Sequence, residues 1–394
     1  MKILQLNPTF YPATAYGGTV TVSYNLSKAL AKRGHDVTVY TSDSLDEHAR
    51  QKDLYVEHEG LKIYYFRNIS NSLAWHRFFF YPRLIYALKK QIRSFDVAHL
   101  HDTRNFQNIV AVHYAKKYGI PYIVQPHGSL PRIIENQGLK KLYDLFWGND
   151  ILEHASKIVA VSKAEVEQFK EAGIPEGKIA VIPNGVDAIS IADTPSFGQF
   201  RKQQGIKEKY IILYVGRIHK RKGIDFLIRA YNLFLQTWTG EDVTLVIGGP
   251  DDGFRPFLEN LVEQLGLTEK VRFIGFVPSL STAYRDSDVL IYPSTYEIFG
   301  LVPFEALLHG TPVIVTDDCG CGEIIKEAKC GRLVHYGDEA GLSEALRYVL
   351  THLEENKTMV ESGRQYIEEH LVWDSIVKQM EKVYEEANRG VNSE

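Results

Sequence analysis

Glu297 and Glu305 stand eight positions apart, on either side of a short stretch that contains Gly300. Before them, Asp288-Val289-Leu290-Ile291-Tyr292-Pro293 reads as a short buried strand stopped by proline; after them, Phe304-Glu305-Ala306-Leu307-Leu308 reads as an apolar helix. Everything between is loop. The backbone N–H groups of Phe299, Gly300 and Leu301 are then expected to point out of a helix N-terminus, where four donors lack partners and the macrodipole is positive. Such a place suits an anion. Glu297 on the loop can accept hydroxyls from a sugar and Glu305 on the helix those of a ribose, a combination that suits a sugar nucleotide. A loop carboxylate beside a solvated helical one would have the same spacing, so the flanking segments decide.

Upstream, Tyr214-Val215-Gly216-Arg217-Ile218-His219-Lys220-Arg221-Lys222-Gly223-Ile224-Asp225 reads as a strand that runs through a cationic loop into a helix. Arg217 and Lys222 can both reach a diphosphate, whose departure develops charge that fixed cations stabilise without reorganisation. Lys220 and Arg221 read as solvated neighbours. Downstream, Pro312-Val313-Ile314-Val315-Thr316-Asp317-Asp318-Cys319-Gly320-Cys321-Gly322-Glu323 gives another strand, glycine loop and helix.

In this order and spacing the three elements resemble the retaining GT-B glycosyltransferases of the large GT4-type family, the glycosyl transferases group 1. The likeness runs through nearly the whole chain and takes in Tyr16-Gly17-Gly18, Pro126-His127-Gly128 and Ile182-Pro183-Asn184-Gly185-Val186-Asp187. It implies an α/β GT-B fold, with two doubly wound Rossmann-like domains facing a central cleft. The implied reaction is retaining transfer of a hexose-type sugar from a UDP or GDP sugar to an acceptor hydroxyl, in glycan, glycolipid or polysaccharide synthesis. No metal and no cofactor beyond the donor substrate is implied.

The resemblance also distributes roles. Glu297 holds the sugar rather than attacking it, Glu305 binds the ribose, and His127 meets the sugar from the first domain. Gly17 and Gly18 flank the donor diphosphate, and Ile274, within Arg272-Phe273-Ile274-Gly275-Phe276-Val277-Pro278, lies on the base-binding strand and turn. From the residues alone, Gly17-Gly18 fits a plain tight turn as well as a close backbone approach to a ligand, and a dinucleotide fingerprint is absent. His127 alone fits a structural hydrogen bonder. His99-Leu100-His101-Asp102 is a weaker candidate, explained by ordinary loop hydrogen bonding, and Asp286-Ser287-Asp288 fits a helix-end cap better than a metal motif.

The elements that position these residues follow a pattern of alternating strands and amphipathic helices, as in parallel sheets covered on both faces. Strands are expected at 2–6, 36–41, 63–66, 97–100, 122–125 and 157–161 in the first half, and at 210–215, 243–247, 271–274, 289–292, 312–315 and 331–334 in the second. The expected division is a first domain over 1–187, a linker over 188–209 where periodicity lapses, and a second domain over 210–370. A C-terminal segment, 371–394, returns to the first domain by resemblance. Ligands of such sheets bind outside the strands' carboxyl ends.

At 394 residues and 44% hydrophobic content the chain is large enough for two cores. No apolar run reaches the roughly 20 residues of a membrane helix, and Met1-Lys2 leads straight into a strand, so the expected location is cytoplasmic. Cys319, Cys321 and Cys330 are an odd count that opposes a disulfide framework, and no histidine cluster completes a metal site around them. The net charge of -4 divides into about +5 up to residue 190 and about -9 beyond it. The basic half suits an anionic acceptor, glycan or lipid-linked, or peripheral contact with the cytoplasmic membrane face, whereas no basic module points to nucleic acid. Two aromatic and basic runs, 75–83 and 139–147, are open between core packing and an acceptor or membrane platform. Rival functions are a sugar-nucleotide epimerase of similar architecture, a nucleotide-sugar-binding protein without catalysis, and a hydride-transferring Rossmann enzyme disfavoured by the missing fingerprint.

Overall fold

The computed structural model describes residues 1–131, 137–187, 195–295 and 297–391. The chain divides into two compact units, Met1–Gly185 with Trp373–Glu394, and Val186–Val372.

The first unit holds an eight-stranded sheet. Its strands are β1 (Lys2–Leu6), β2 (Asp36–Ser42), β3 (Tyr55–His58), β4 (Leu61–Phe66), β5 (Val97–His101), β6 (Tyr122–Gln125), β7 (Lys157–Ala160) and β8 (Ile179–Val181). The spatial order is β3-β4-β2-β1-β5-β6-β7-β8, parallel throughout except for β3, which pairs antiparallel with β4. Strands β3 and β8 were not expected; each is short and half exposed, so neither carries a buried apolar run. The order reverses at β1, flanked by β2 and β5, and that is where an open α/β sheet leaves a crevice at its carboxyl end.

Trp373–Val391 is one helix of this unit. Ile376, Val377, Met380, Val383, Tyr384 and Ala387 recur at helical spacing and pack with Ile3, Leu26, Val37 and Ile123 in one core. Burying a side chain of Ile, Val or Met size contributes about 1.5–3 kcal/mol, enough to dock the helix on the sheet.

The second unit holds six parallel strands. They are β9 (Tyr210–Val215), β10 (Val243–Gly248), β11 (Val271–Gly275), β12 (Val289–Tyr292), β13 (Val313–Thr316) and β14 (Arg332–Val334). Their order is β11-β10-β9-β12-β13-β14, so the reversal falls at β9, between β10 and β12. Ile212, Leu245, Ile291 and Ile314 from these strands pack against Phe226, Leu227 and Tyr231 of the helix Ile224–Thr237 and Leu346 of Glu339–Thr351.

The expected linker over 188–209 needs correction. Residues 188–194 lie outside the described residues, but 195–209 belong to the fold of the second unit. They include the helix Gln199–Gln204 with Phe200 buried, and its first amides at Gly198 and Arg201 donate to Asp286 at 2.6 and 3.0 Å. Phe200 and Ile206 are too few apolar residues to print a period, and the cap comes from a carboxylate distant in sequence. Asp288 accepts from the Ile211 amide at 2.7 Å and from Arg201 at 3.2 Å. Asp286 and Asp288 thus serve as structural anchors, Asp286 capping this helix rather than the end of its own.

Candidate active site

In the second unit the loops after β9 and β12 meet at the reversal point. The β9 loop ends in a single turn, Lys220–Lys222, in which His219 Nδ1 accepts the Arg221 N–H at 3.2 Å. The chain then passes through Gly223 at φ 63°, where a Cβ would lie 2.0 Å from the Pro293 carbonyl oxygen. Only glycine lets the two loops approach this closely. The Thr295 amide completes the contact by donating to the Arg221 carbonyl at 3.1 Å.

This closure brings Lys222 and Glu297 into an ion pair, with Lys222 Nζ 5.7 Å from the centre of the Tyr292 ring. Burial pushes the Glu297 carboxyl up, but the Lys222 charge and hydrogen bond, with help from Tyr292 and Arg217, outweigh it and hold Glu297 below the ordinary glutamate value. Glu297 is therefore ionised at neutral pH. Arg217 is more exposed and pairs with Asp252 at 3.2 Å.

On its other side the Glu297 carbonyl accepts the Gly320 amide at 2.8 Å. A Cβ on Gly320 would lie 1.8 Å from the Ile298 carbonyl oxygen, so the helix Gly320–Ala328 sits directly on the chain that carries Glu297. Cys319 and Cys321 beside it are buried free thiols with sulfurs 3.0 Å apart, and Cys330 is also free. The amides of Phe299, Gly300 and Leu301 have no acceptor among the described residues, and the helix that follows, Val302–Leu308, has no side-chain cap. Glu305 lies in its first turn, half-buried, and accepts the Tyr284 hydroxyl at 2.9 Å. Burial pushes its carboxyl up; Tyr284 opposes this and Asp187 adds to it. Glu305 is thus half-buried and partnered rather than a solvated helical carboxylate.

Ile274 lies at the carboxyl end of edge strand β11, separated from β12 by β10 and β9. The structure therefore gathers Arg217, Lys222, Glu297 and Phe299–Leu301 around one loop pair, with Glu305 on the adjoining helix and Ile274 further along the sheet edge.

In the first unit Gly17 precedes the helix Gly18–Lys32 at φ 102°, and a Cβ on either glycine would meet nothing within 4 Å. Backbone conformation explains Gly17; packing does not require Gly18. Tyr16 before them is held by Arg77, which donates to its carbonyl at 2.7 Å, and by the rings of Trp75 and Phe79 at 5.5 and 5.8 Å. The 75–83 run is thus partly core, with Phe79 and Tyr81 buried and Phe78 exposed. The 139–147 run differs, because Leu139, Leu142, Leu145 and Phe146 are all exposed.

His127 follows β6 in a left-handed conformation, φ 51°, which strains a residue with a Cβ. Its loop is well anchored. The Glu165 carboxylate accepts the Gly128 amide at 2.7 Å and the Val161 amide at 2.8 Å, and burial pushes its pKa up to about 7. Arg104 donates to the Ser129 and Leu130 carbonyls, each at 2.6 Å, and pairs with Asp144 at 2.9 Å. Nearby Asp102, also left-handed, is pushed up to about 6 by burial despite Arg77.

His127 Nε2 lies 2.9 Å from His101 Nδ1, and burial lowers the His127 pKa to about 4. Behind His101 stand Gln5 and Tyr384. Sequence reasoning missed Glu165, Gln5 and Tyr384, and gave His101 only as part of a weaker candidate stretch. One signal existed: the period of two places His99 and His101 on the same face of β5. For Gln5, Glu165 and Tyr384 there was none, since each looks like an ordinary strand or helix residue.

Among the described residues no group of three His, Cys, Asp or Glu is arranged to hold a metal ion, and no helix is long and apolar enough to cross a membrane.

Two Rossmann-like sheets, one in each unit, are the fold of a GT-B glycosyltransferase. Solved structures carry the same fold. Sucrose-phosphate synthase from Thermosynechococcus elongatus aligns over 99% of this chain and 100% of its own, with a TM-score of 0.77 and 22% identity. Anabaena HepE in complex with UDP aligns over 97% and 99%, also with a TM-score of 0.77 and 22% identity. In sequence, an uncharacterized glycosyltransferase of Methanocaldococcus jannaschii is 29% identical over 95% of each chain. The N-acetyl-alpha-D-glucosaminyl L-malate synthase of Bacillus anthracis is 27% identical over 97% of this chain and 96% of its own. Residues 16–189 match Glycosyltransferase Family 4 and residues 196–366 match Glycosyl transferases group 1; the chain belongs to this family of glycosyltransferases.

Proposed function

We propose that the protein transfers a hexose-type sugar, with retention of anomeric configuration and without a metal ion, from a nucleoside-diphosphate sugar to an acceptor hydroxyl. The observation that carries this reading is the Lys222–Glu297 pair beside the amides of Phe299, Gly300 and Leu301, which have no acceptor among the described residues. Lys222 and Arg217 offer positive charge to the departing diphosphate, and Glu297, kept ionised, accepts hydroxyls of the sugar. Glu305 holds the ribose and Ile274 flanks the base. Gly17, Gly18 and His127 contribute from the first unit. The departing phosphate takes the acceptor proton on the same face, so no protein nucleophile is used. UDP is favoured as the nucleotide because structures of HepE, a protein of this fold, were solved with UDP and with UDP-glucose.

The exposed Leu139, Leu142, Leu145 and Phe146, flanked by Lys140 and Lys141, support an apolar or lipid-linked glycan acceptor and peripheral contact with the cytoplasmic membrane face. The protein would then act in the cytoplasm, in glycan, glycolipid or polysaccharide synthesis.

One experiment tests the reaction. The chain is incubated with UDP-glucose, GDP-mannose and related donors, together with glycan and lipid-linked acceptors that offer a free hydroxyl, in excess EDTA, and the anomeric configuration of the product is read by NMR. Transfer with retention is expected. An inverted centre, or activity abolished by EDTA and restored by magnesium or manganese, would overturn it.

A further inference from the structure

Behind His127 a hydrogen-bonded series of buried side chains runs through the first unit. His127 Nε2 lies 2.9 Å from His101 Nδ1, and His101 Nε2 lies 2.7 Å from Gln5 Oε1. Gln5 Nε2 donates to the Tyr384 hydroxyl at 3.1 Å, and that hydroxyl lies 2.9 Å from His99 Nδ1. The members come from β6's loop, β5, β1 and the C-terminal helix, and His99, His101, Gln5 and Tyr384 are each at most 2% exposed.

A neutral imidazole has one N–H and one lone pair, so each link constrains the next. The Gln5 amide sets the polarity. Its nitrogen faces Tyr384 and its oxygen faces His101, so the His101 proton is on Nε2 and its Nδ1 offers a lone pair. His127 then donates from Nε2, which leaves its Nδ1 bare. At the other end Tyr384, having accepted from Gln5, donates to His99 Nδ1. The His99 proton is then on Nε2, a nitrogen with no hydrogen-bond partner among the described residues. Burial lowers His99 to about 3 and His127 to about 4, so both rings are neutral near pH 7 and the one-proton rule applies.

We propose that Gln5, His101 and Tyr384 are positioning residues that lock His127 in the Nε2–H tautomer, making its Nδ1 an acceptor for an O–H or N–H group of the donor sugar. This rests on the reading of His127 as a contact to that sugar. It adds a chemical selection: a hydroxyl or amide N–H satisfies Nδ1, whereas an ionised carboxylate at that position of the sugar would set lone pair against lone pair. Tyr384 sets this selection from the last helix without touching the ligand.

Long-range proton–nitrogen NMR correlations on the full chain, labelled with 15N-histidine and free of donor, read the tautomer directly. His127 is assigned by the signals lost in His127→Asn. At pH 7 a bare Nδ1 and a protonated Nε2 are expected. Tyr384→Phe keeps the ring but removes the oxygen that holds Gln5 Nε2, and it should give a mixed or reversed His127 pattern with kcat/KM for the donor lowered about tenfold. Gln5→Glu, which keeps an acceptor oxygen for His101 Nε2, should retain the original pattern. A wild-type His127 protonated on Nδ1, or doubly protonated, would overturn the proposal, as would an unchanged His127 spectrum in Tyr384→Phe. Because the spectrum needs no turnover, absence of sugar transfer with the tautomer as stated would defeat the functional reading alone.

Discussion

Replacing Lys222 by methionine removes one charge and keeps most of the stem that runs beside Tyr292. Its ion pair with Glu297 is neither fully exposed nor fully buried, the two side chains retaining 19% and 28% of their accessible surface. Exposed pairs contribute about 0–1 kcal/mol, and removing one partner of a buried pair costs about 3–5 kcal/mol. An intermediate loss of about 1–3 kcal/mol is therefore expected, which for a unit of this size lowers Tm by roughly 2–12 °C. The pH dependence gives a sharper signature. In the native protein Glu297 lies below its ordinary value of 4.5, so its share of stability is present above that pH and lost as pH falls through the lower folded value. Without Lys222, burial becomes the dominant influence and raises the folded value. The share is then full below 4.5 and lost as pH rises. Thermal unfolding between pH 3 and 6, as about the range that a carboxylate spans, should show the acid-side slope reduced or reversed. Turnover should fall by on the order of 10²-fold or more, as when a single transition-state donor is lost. Lys222→Met/Glu297→Gln separates structure from chemistry: the double variant should regain stability because no charge is left alone, while turnover stays low. Near-normal turnover in Lys222→Met, or turnover recovered together with stability in the double variant, would refute a role for Lys222 on the diphosphate.

Gly320→Ala forces a methyl group into the Ile298 carbonyl, so it should cost about 1–3 kcal/mol in a denaturant titration and displace the chain that carries Glu297. Donor affinity by calorimetry should fall with it; unchanged affinity and stability would show that the close approach is not needed. Glu165→Gln probes the anchor of the His127 loop. The folded pKa of Glu165, about 7, lies above its ordinary 4.5, so its contribution is full below 4.5 and lost as pH rises towards 7. The glutamine variant should lose up to about 3 kcal/mol of that pH dependence, and an identical stability-versus-pH curve would contradict the burial of an ionisable Glu165.

The alternation of strands and helices was legible because periodicity is a local property, written within windows of five to fifteen or so residues. The β9 and β12 strands, the cationic loop and the Glu297 loop were all read in place. What escaped was structure with little apolar signal of its own: β3, β8 and the helix Gln199–Gln204, which hold their positions through edge pairing or the distant Asp286 cap. Solvent position escaped as well. The 75–83 and 139–147 runs have similar composition, yet Tyr81 is in the core and Leu145 is on the surface.

Taken alone, the sequence determined which residues end strands and open helices, and so which side chains reach the carboxyl edge of a sheet. Tertiary structure decided which of those edges are neighbours. Lys222 meets Glu297 across 75 residues because β12 pairs with β9 rather than following β11, and because Gly223 has no Cβ to hold the loops apart. Gln5 meets Tyr384 across 379 residues because the last helix turns a periodic apolar face onto the first sheet. Both juxtapositions depend on strand order and helix docking, which arise from the burial of whole faces at once and leave no mark on any short stretch of the chain.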